Sequence, residues 1–261
     1  MPLFAGIDIG SVATKLVVLE RLPDDTRRMV YKSMVPSGYD PDKTARTLLD
    51  EARDALGKGV DMILTTGYGR HSVDISHSAV TEITCHARGI SFLHPGKSTV
   101  IDIGGQDSKA ISISEKGKVV DFVMNDKCAA GTGRFLEVMA KALEVDINGL
   151  NELATRSKDN LKISSTCTVF AESEVISLIS RKTPREDIAY GVFRAIASRV
   201  ASMAARLTIM DPVFMTGGVC QAGTIVKAME LALGHRVYVP KYPQFTGAFG
   251  AAIIASESGS K

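Results

Sequence analysis

Two aspartates 94 positions apart open the same short pattern. Asp8-Ile9-Gly10 is followed by four residues and Lys15, and Asp102-Ile103-Gly104 by four residues and Lys109. Each copy follows an apolar stretch and precedes an alternating one, Leu16 to Glu20 and Ala110 to Ser114, which predicts a hairpin whose tight turn is made of small residues. Glycine there lets backbone amides approach an anion, and each carboxylate, Asp8 or Asp102, can orient a hydrated metal on phosphates. Two such hairpins on duplicated halves can hold one nucleotide between them. Lys15 and Lys109 stand at equivalent places, and each can present its ammonium to phosphate oxygens. A solvated strand lysine is the alternative for both. Ser11, Thr14 and the turn amides supply neighbouring donors, which favours the phosphate role for Lys15.

Cysteine placement adds a second chemistry. Cys128 lies in Asn125-Asp126-Lys127-Cys128-Ala129-Ala130-Gly131-Thr132-Gly133, and Cys167 in Ser164-Ser165-Thr166-Cys167-Thr168-Val169-Phe170, each expected immediately before a helix. A helix N-terminus, with its unpaired amides and macrodipole, favours an anionic centre, and a cluster with four thiolate ligands is one. One chain offers two cysteines in matched settings, so an isologous dimer would complete such a set. Cys85 and Cys220 read as ordinary buried thiols, and core burial of all four cysteines is the plain alternative.

The elements that must position these residues follow from periodicity. Strands are predicted at Leu3 to Ile9, Lys15 to Glu20 and Met29 to Val35, with a turn at Pro23-Asp24-Asp25. A helix from Lys43 to Leu56 carries Leu48, Leu49, Ala52, Ala55 and Leu56 on one stripe, and a strand Met62 to Thr66 leads into a Gly67-Tyr68-Gly69 turn. The order repeats with strands Ser98 to Ile103, Lys109 to Ser114, Val119 to Met124 and, later, Pro212 to Met215. Between the last two lies an expansion, about 126–206, with helices at Gly133 to Leu143, Ile147 to Ala154, Phe170 to Ser180 and Pro184 to Leu207, the last capped by Thr183 with Pro184 in its first turn. A helix Gln221 to Leu233 ended by Gly234, a strand Arg236 to Val239, a helix Gly247 to Ala255 and a frayed tail Ser256 to Lys261 complete the reading. Two α/β lobes are expected, 1–95 and 96–261, the second with the helical insertion that carries Cys128 and Cys167.

The 31 basic and 29 acidic residues of this 261-residue chain are spread without long blocks, which argues against a nucleic acid or an anionic membrane as partner. No basic leader precedes the first strand and no apolar run is long enough to span a bilayer, so a soluble cytoplasmic protein is expected.

Gly217-Gly218, between a predicted strand and helix, makes a third glycine turn that can pass flat beside a nucleoside, with Gln244 reaching the base. Together with Asp8-Ile-Gly, Asp102-Ile-Gly-Gly and Gly247-Ala248-Phe249-Gly250, this set resembles the actin, hexokinase and heat-shock ATPase superfamily over nearly the whole chain. The resemblance implies two ribonuclease-H-like lobes, each a mixed sheet flanked by helices, with ATP and Mg2+ in the cleft. The segments Cys128-Ala-Ala-Gly-Thr-Gly-Arg-Phe and Ser-Ser-Thr-Cys167-Thr-Val-Phe-Ala-Glu-Ser-Glu-Val closely resemble the activator component (component A) of 2-hydroxyacyl-CoA dehydratases, in a wider family that includes the ATPase subunits of benzoyl-CoA reductases. That resemblance implies a homodimeric, oxygen-sensitive iron-sulfur ATPase of anaerobic metabolism with one 4Fe-4S cluster shared across the dimer, Cys128 and Cys167 matching its ligands. It would take an electron from a ferredoxin or flavodoxin and, using ATP, deliver it at low potential to a dehydratase. By the same matching, Ser11, Val12, Ala13, Thr14, Lys15, Gly104, Gly105, Gln106, Gly217, Gly218 and Gln244 fall at ATP/ADP contacts, and Asp146 at a ribose contact or, alternatively, at a helix cap. No residue reads as a general base. The alternatives are an activator of another low-potential reductase, of double-cubane or aromatic-ring acyl-CoA type, a small-molecule kinase of the same superfamily, and a filament or scaffold ATPase.

Overall fold

The computed structural model describes residues 1–164 and 166–258. In the first half, β1 (Leu3–Ile9), β2 (Ala13–Arg21) and β3 (Arg27–Pro36) form an antiparallel meander. α1 (Pro41–Leu56), β4 (Met62–Thr66), β5 (Ser78–Ala79) and α2 (Glu82–Leu93) follow, and the sheet order is β3-β2-β1-β4-β5 with β4 parallel to β1. All seven β1 residues are buried, as a central strand covered on both faces requires. Asp40 starts α1 by accepting from the Lys43 amide at 3.0 Å, Pro41 supplies a preset φ, and Gly57 ends the helix in the left-handed region. Its buried stripe is Ala45, Leu48 and Ala52, whereas Ala55, expected on that stripe, is exposed.

In the second half, β6 (Ser98–Ile103), β7 (Ser108–Ile113) and β8 (Val119–Asn125) are followed by α3 (Gly133–Ala142), α4 (Ile147–Ala154), α5 (Thr168–Ser180) and α6 (Arg185–Ala204). Then come β9 (Val213–Thr216), α7 (Gly223–Leu233), β10 (Val237–Tyr238) and α8 (Thr246–Ser258), and this sheet has the order β10-β9-β6-β7-β8. Its core gathers Ile101, Phe135, Leu136, Val192, Phe193 and Met215, so sheet and insertion share one apolar cluster.

Four details depart from expectation. α2 and β5 were not anticipated: α2 contains Ile83, Thr84, Cys85, His86 and Gly89, weak helix formers, and owes its helicity to burial against α8. A Cβ at Gly250 of α8 would stand 1.8 Å from the Cys85 carbonyl oxygen, so the two backbones nearly touch. Pro184 is itself the N-cap of α6, displacing Thr183 from that role, and Gln221 belongs to a separate 3-10 turn, Val219–Gln221, ahead of α7. α8 runs to Ser258 with Ser256 fully buried, so fraying does not begin there; residues 259–261 of the expected tail lie outside the described residues.

The chain divides into two compact units, 1–97 with 113–120 and 244–261, and 98–112 with 121–243. A simple split at 95/96 therefore differs from the observed grouping: α8 packs on β1, β2, β4 and α2, and closes the first unit.

Candidate functional site

In the first unit the β1–β2 hairpin sets Asp8 opposite Lys15 and Ile9 opposite Thr14. The Gly10 amide donates to the Ala13 carbonyl at 3.2 Å and closes the turn, leaving Ser11 and Val12 exposed at its tip. Thr14 is turned inward, its hydroxyl 3.0 Å from that of Ser37, so its side chain supports the turn from behind. Lys15 Nζ donates to Asp8 Oδ2 at 3.1 Å, and the lysine is only 18% exposed, which sets aside a solvated strand lysine. The other oxygen, Asp8 Oδ1, is buried and has no hydrogen-bond partner among the described residues. A buried carboxylate oxygen left unpaired is costly, and this one fits a cation or its hydration water. Gly67, at φ +88°, runs its backbone past it: a Cβ there would stand 2.5 Å from Oδ1.

α2 brings two further groups to Asp8 that sequence reasoning did not single out. A Cβ at Gly247 would stand 3.2 Å from His86 Nε2 and 3.3 Å from Asp8 Oδ2, and Glu82 Oε1 lies 3.8 Å from the same imidazole nitrogen. The available signal was the Thr81 cap followed by apolar Ile83, Ala87 and Ile90 at helical spacing.

The matching turn of the second unit is tied down differently. Lys109, for which a solvated strand lysine was the alternative to a phosphate role, is fully buried, with Nζ 2.7 Å from Asp107 Oδ2 and 3.7 Å from Asp102 Oδ2. Asp102 Oδ1 accepts from the Thr216 hydroxyl at 2.8 Å. Gly104 donates to the Asp107 carbonyl at 2.9 Å. The Gly104 and Gly105 carbonyls accept from the Gly133 and Arg134 amides at 2.9 and 2.8 Å, so the turn caps the start of α3. Gln106 is exposed at the tip. Gly217 sits at φ +92°, where a Cβ would fall 2.2 Å from the Ile103 carbonyl oxygen, while Gly218 has an ordinary helical φ of −69°. Asp146 is the N-cap of α4, accepting from the Gly149 amide at 2.7 Å. Gln244, half-buried, precedes α8, and the carbonyl of the preceding Pro243 accepts from the Gly217 amide at 3.0 Å.

The four cysteines are free and fall into two pairs. Burial pushes the Cys85 and Cys220 thiols up to about 12, and Cys220 Sγ donates to the Gly217 carbonyl at 2.9 Å; both are poor metal ligands. Cys128 and Cys167 are half-buried. Cys167, expected ahead of a helix beginning at Phe170, is the N-cap of α5, which begins two residues earlier at Thr168. Cys128 is not at a helix start, because α3 begins at Gly133 with Thr132 as its cap; it lies on a loop that Asn125 braces by donating to the Cys128 and Ala130 carbonyls at 2.8 and 3.0 Å. Two accessible thiols without a disulfide partner fit half the donor set of a thiolate-bound cluster. Ser165, in the Cys167 motif, lies outside the described residues.

Two five-stranded mixed sheets flanked by helices, each opening on an Asp-Ile-Gly hairpin, define the two-lobed ATPase and sugar-kinase class. The chain belongs to the BadF/BadG/BcrA/BcrD ATPase family, which it matches over residues 5–255, and it is an ATPase. It is 46% identical over 259 residues to the (R)-2-hydroxyglutaryl-CoA dehydratase activating ATPase of Acidaminococcus fermentans, with 98% of each chain covered. The crystal structure of component A of the Acidaminococcus fermentans (R)-2-hydroxyglutaryl-CoA dehydratase superposes with a TM-score of 0.92 at 43% identity, over 100% of both chains. The activator of the 2-hydroxyisocaproyl-CoA dehydratase from Clostridium difficile, with bound ADPNP, gives a TM-score of 0.90 at 41% identity, over 98% of this chain and 95% of that one. Among the described residues no helix is long and apolar enough to cross a membrane.

Proposed function

We propose that this ATPase is an activator of a 2-hydroxyacyl-CoA dehydratase, delivering a low-potential electron from a ferredoxin or flavodoxin to that partner. Relatives matched end to end that carry activator names support the reading. The observation that carries the coupling is the bond pattern at the second turn. Gly104 and Gly105 hold the first two amides of α3 by their carbonyls, and Cys128 lies five residues ahead of that helix. A change at a phosphate-bearing turn therefore has a short, hydrogen-bonded route to Cys128, and α3 packs on α5, whose cap is Cys167.

Ser11 to Lys15, Gly104 to Gln106, Gly217, Gly218 and Gln244 are assigned to ATP, with Asp146 at the ribose beyond its capping role. Asp8, by its unpaired Oδ1, and Asp102 orient the hydrated Mg2+. A bound Mg2+ would neutralise charge on the phosphates. Cys128 and Cys167 would hold one 4Fe-4S cluster with the same pair from a second copy; when bound, it would supply a one-electron store. Supporting the homodimer, α5 leaves Val169, Phe170, Ile176 and Ile179 exposed along its length after Cys167, apolar surface suited to burial against a second copy.

Anaerobic purification with iron counting tests this. About two iron atoms per chain are expected for a shared four-iron cluster, and Cys128→Ala or Cys167→Ala should lose iron, sulfide and colour together. Normal iron and sulfide in either variant would overturn the assignment.

A further inference from the structure

Lys162, Arg194, Lys227 and Arg236 come from separate stretches of the second unit and gather around one groove. Between α6, α7 and residues 160–163 lies a cavity of about 640 Å3, with Tyr190, Arg194 and Ser198 of α6 on one wall, Lys162 on the loop and Leu231 of α7 opposite. A smaller hollow of about 500 Å3 continues past Leu231, itself 75% exposed, to Lys227 and Arg236. Arg194 donates to the Asn160 and Leu161 carbonyls at 2.5 and 3.4 Å, bonds to neutral groups that leave its charge unopposed. Among the described residues none of the four cations has a carboxylate partner, and the one carboxylate on the two linings, Glu230, already accepts from the Val237 amide at 3.0 Å. The groove also reaches the approaches to both half-buried cysteines. Ile163, on its wall, precedes Cys167 by four residues and is pressed on α6 at Gly191, where a Cβ would stand 3.0 Å from Ile163 Cδ1. Ser198 is followed by Arg199, whose stem lies against Gly131, three residues past Cys128: a Cβ at Gly131 would stand 3.0 Å from Arg199 Cγ.

We propose that this groove is the docking surface of the electron donor, a small redox protein with an acidic face, steered by Lys162, Arg194, Lys227 and Arg236 and seated on Leu231. The inference rests on the assignment of Cys128 and Cys167 as cluster ligands and adds to it the place where the donor lands. Electron-transfer encounters are small and short-lived, so they depend on charge steering more than on buried area. Charge complementarity also selects the occupant. A second copy seated on this groove about a twofold axis would set cations against cations, whereas an acidic partner meets them with the opposite sign. One electron leaves the donor's reduced centre, which is oxidised, and is taken up at the thiolate-held centre, which is reduced; no bond is made or broken. Electron tunnelling weakens steeply with distance, and a donor in this groove stands beside the segments that carry both ligands.

The test uses the full chain, purified anaerobically with its iron, and an acidic ferredoxin as the probe. The Kd for oxidised ferredoxin and the rate of reduction by reduced ferredoxin are measured side by side. Lys162→Glu combined with Lys227→Glu reverses two exposed cations outside the nucleotide and cysteine sites. At low salt it is expected to weaken the Kd and slow the reduction about 10- to 100-fold, with a flattened salt dependence. Iron content, melting temperature and reduction by dithionite, which needs no docking, should match the parent. Lys43→Glu with Lys116→Glu, the same charge change in the first unit, should leave the Kd within about twofold. The proposal falls if the Lys162 and Lys227 variant binds ferredoxin and accepts its electron as the parent does, or if the Lys43 and Lys116 control weakens the Kd as much. It falls equally if ferredoxin reduction is intact while electron delivery to the dehydratase is lost, which gives the groove to the acceptor, or if the variant changes oligomeric state, which gives it to a second copy. A parent free of iron removes the cluster assignment and the donor with it, whereas an iron-loaded parent that dithionite reduces keeps that assignment whatever the groove variants do.

Discussion

At the β1–β2 turn, Lys15 is partly exposed, its partner Asp8 keeps one oxygen unpaired, and the turn tip is open. At the β6–β7 turn, Lys109 is enclosed between Asp102 and Asp107, Asp102 is further satisfied by Thr216, and two turn carbonyls are spent on α3. The same Asp-Ile-Gly-x4-Lys pattern thus makes one turn that retains bonding capacity and one whose charges face each other. The first keeps a carboxylate oxygen for what binds there, whereas the second settles its side-chain charges internally and also fastens its turn to the helix behind it. Identical local chemistry diverges because what packs against each hairpin differs: in the second copy the helical insertion begins directly on the turn.

The largest effect expected from this contrast is at Asp8. Asp8→Asn should lower kcat about 100- to 1000-fold, an amount typical for losing one preorganised charge at a phosphoryl site, with little change in urea midpoint. A stability loss without a catalytic one would reverse the roles assigned to the two turns. Next comes Lys109→Met, which strands two carboxylates around a buried site and should cost about 3 kcal/mol in urea unfolding, against about 1 kcal/mol for Lys15→Met at the open turn. Equal losses in the two variants would break the comparison.

The smallest effect concerns how the second unit fastens its two cysteine segments. The Cys128 loop is braced by the neutral Asn125 amide, whereas residues 157–159, on the way to Cys167, are gathered by Asp187. Its carboxylate accepts from the Ser157 hydroxyl at 2.7 Å and from the Lys158 and Asp159 amides at 3.1 and 3.2 Å. The Ser157 hydrogen bond, foremost, holds the Asp187 carboxyl below its ordinary value of 3.8. A carboxyl lowered on folding stabilises above its unfolded value and loses that contribution as pH falls through the folded one. Hydrogen exchange at 157–163 should therefore rise below pH 3.8 before exchange at 126–131 does, and simultaneous loss would show that Asp187 is not the fastener.

The strands and helices that frame the two hairpins were legible because their periodicity is strong: β1 and β4 match the apolar runs that predict them, and α4 follows its Asp146 cap. Cys167 was legible as standing just ahead of a helix because the pattern from Phe170 onward is helical, although α5 starts two residues earlier. α2 was not, since its β-branched and glycine residues carry little helix propensity and its order comes from α8, more than 150 residues away in the chain. With α2 unseen, His86 and Glu82 had no place beside Asp8. The start of α3 at Gly133 was legible too, and what separates Cys128 from it is the turn at Gly131, φ +89°, and the Thr132 cap.

The sequence by itself determined the duplicated turns, the two α/β sheets and the distinction between the accessible and the buried cysteines, because each is written in short-range spacing and composition. Only the tertiary structure decided which lysine is buried, which aspartate keeps an unpaired oxygen and which histidine stands beside it. Those outcomes depend on long-range neighbours: the insertion at the second turn, and α8 at the first, where Gly247 and Gly250 let the helix backbone come close to His86, Asp8 and the Cys85 carbonyl.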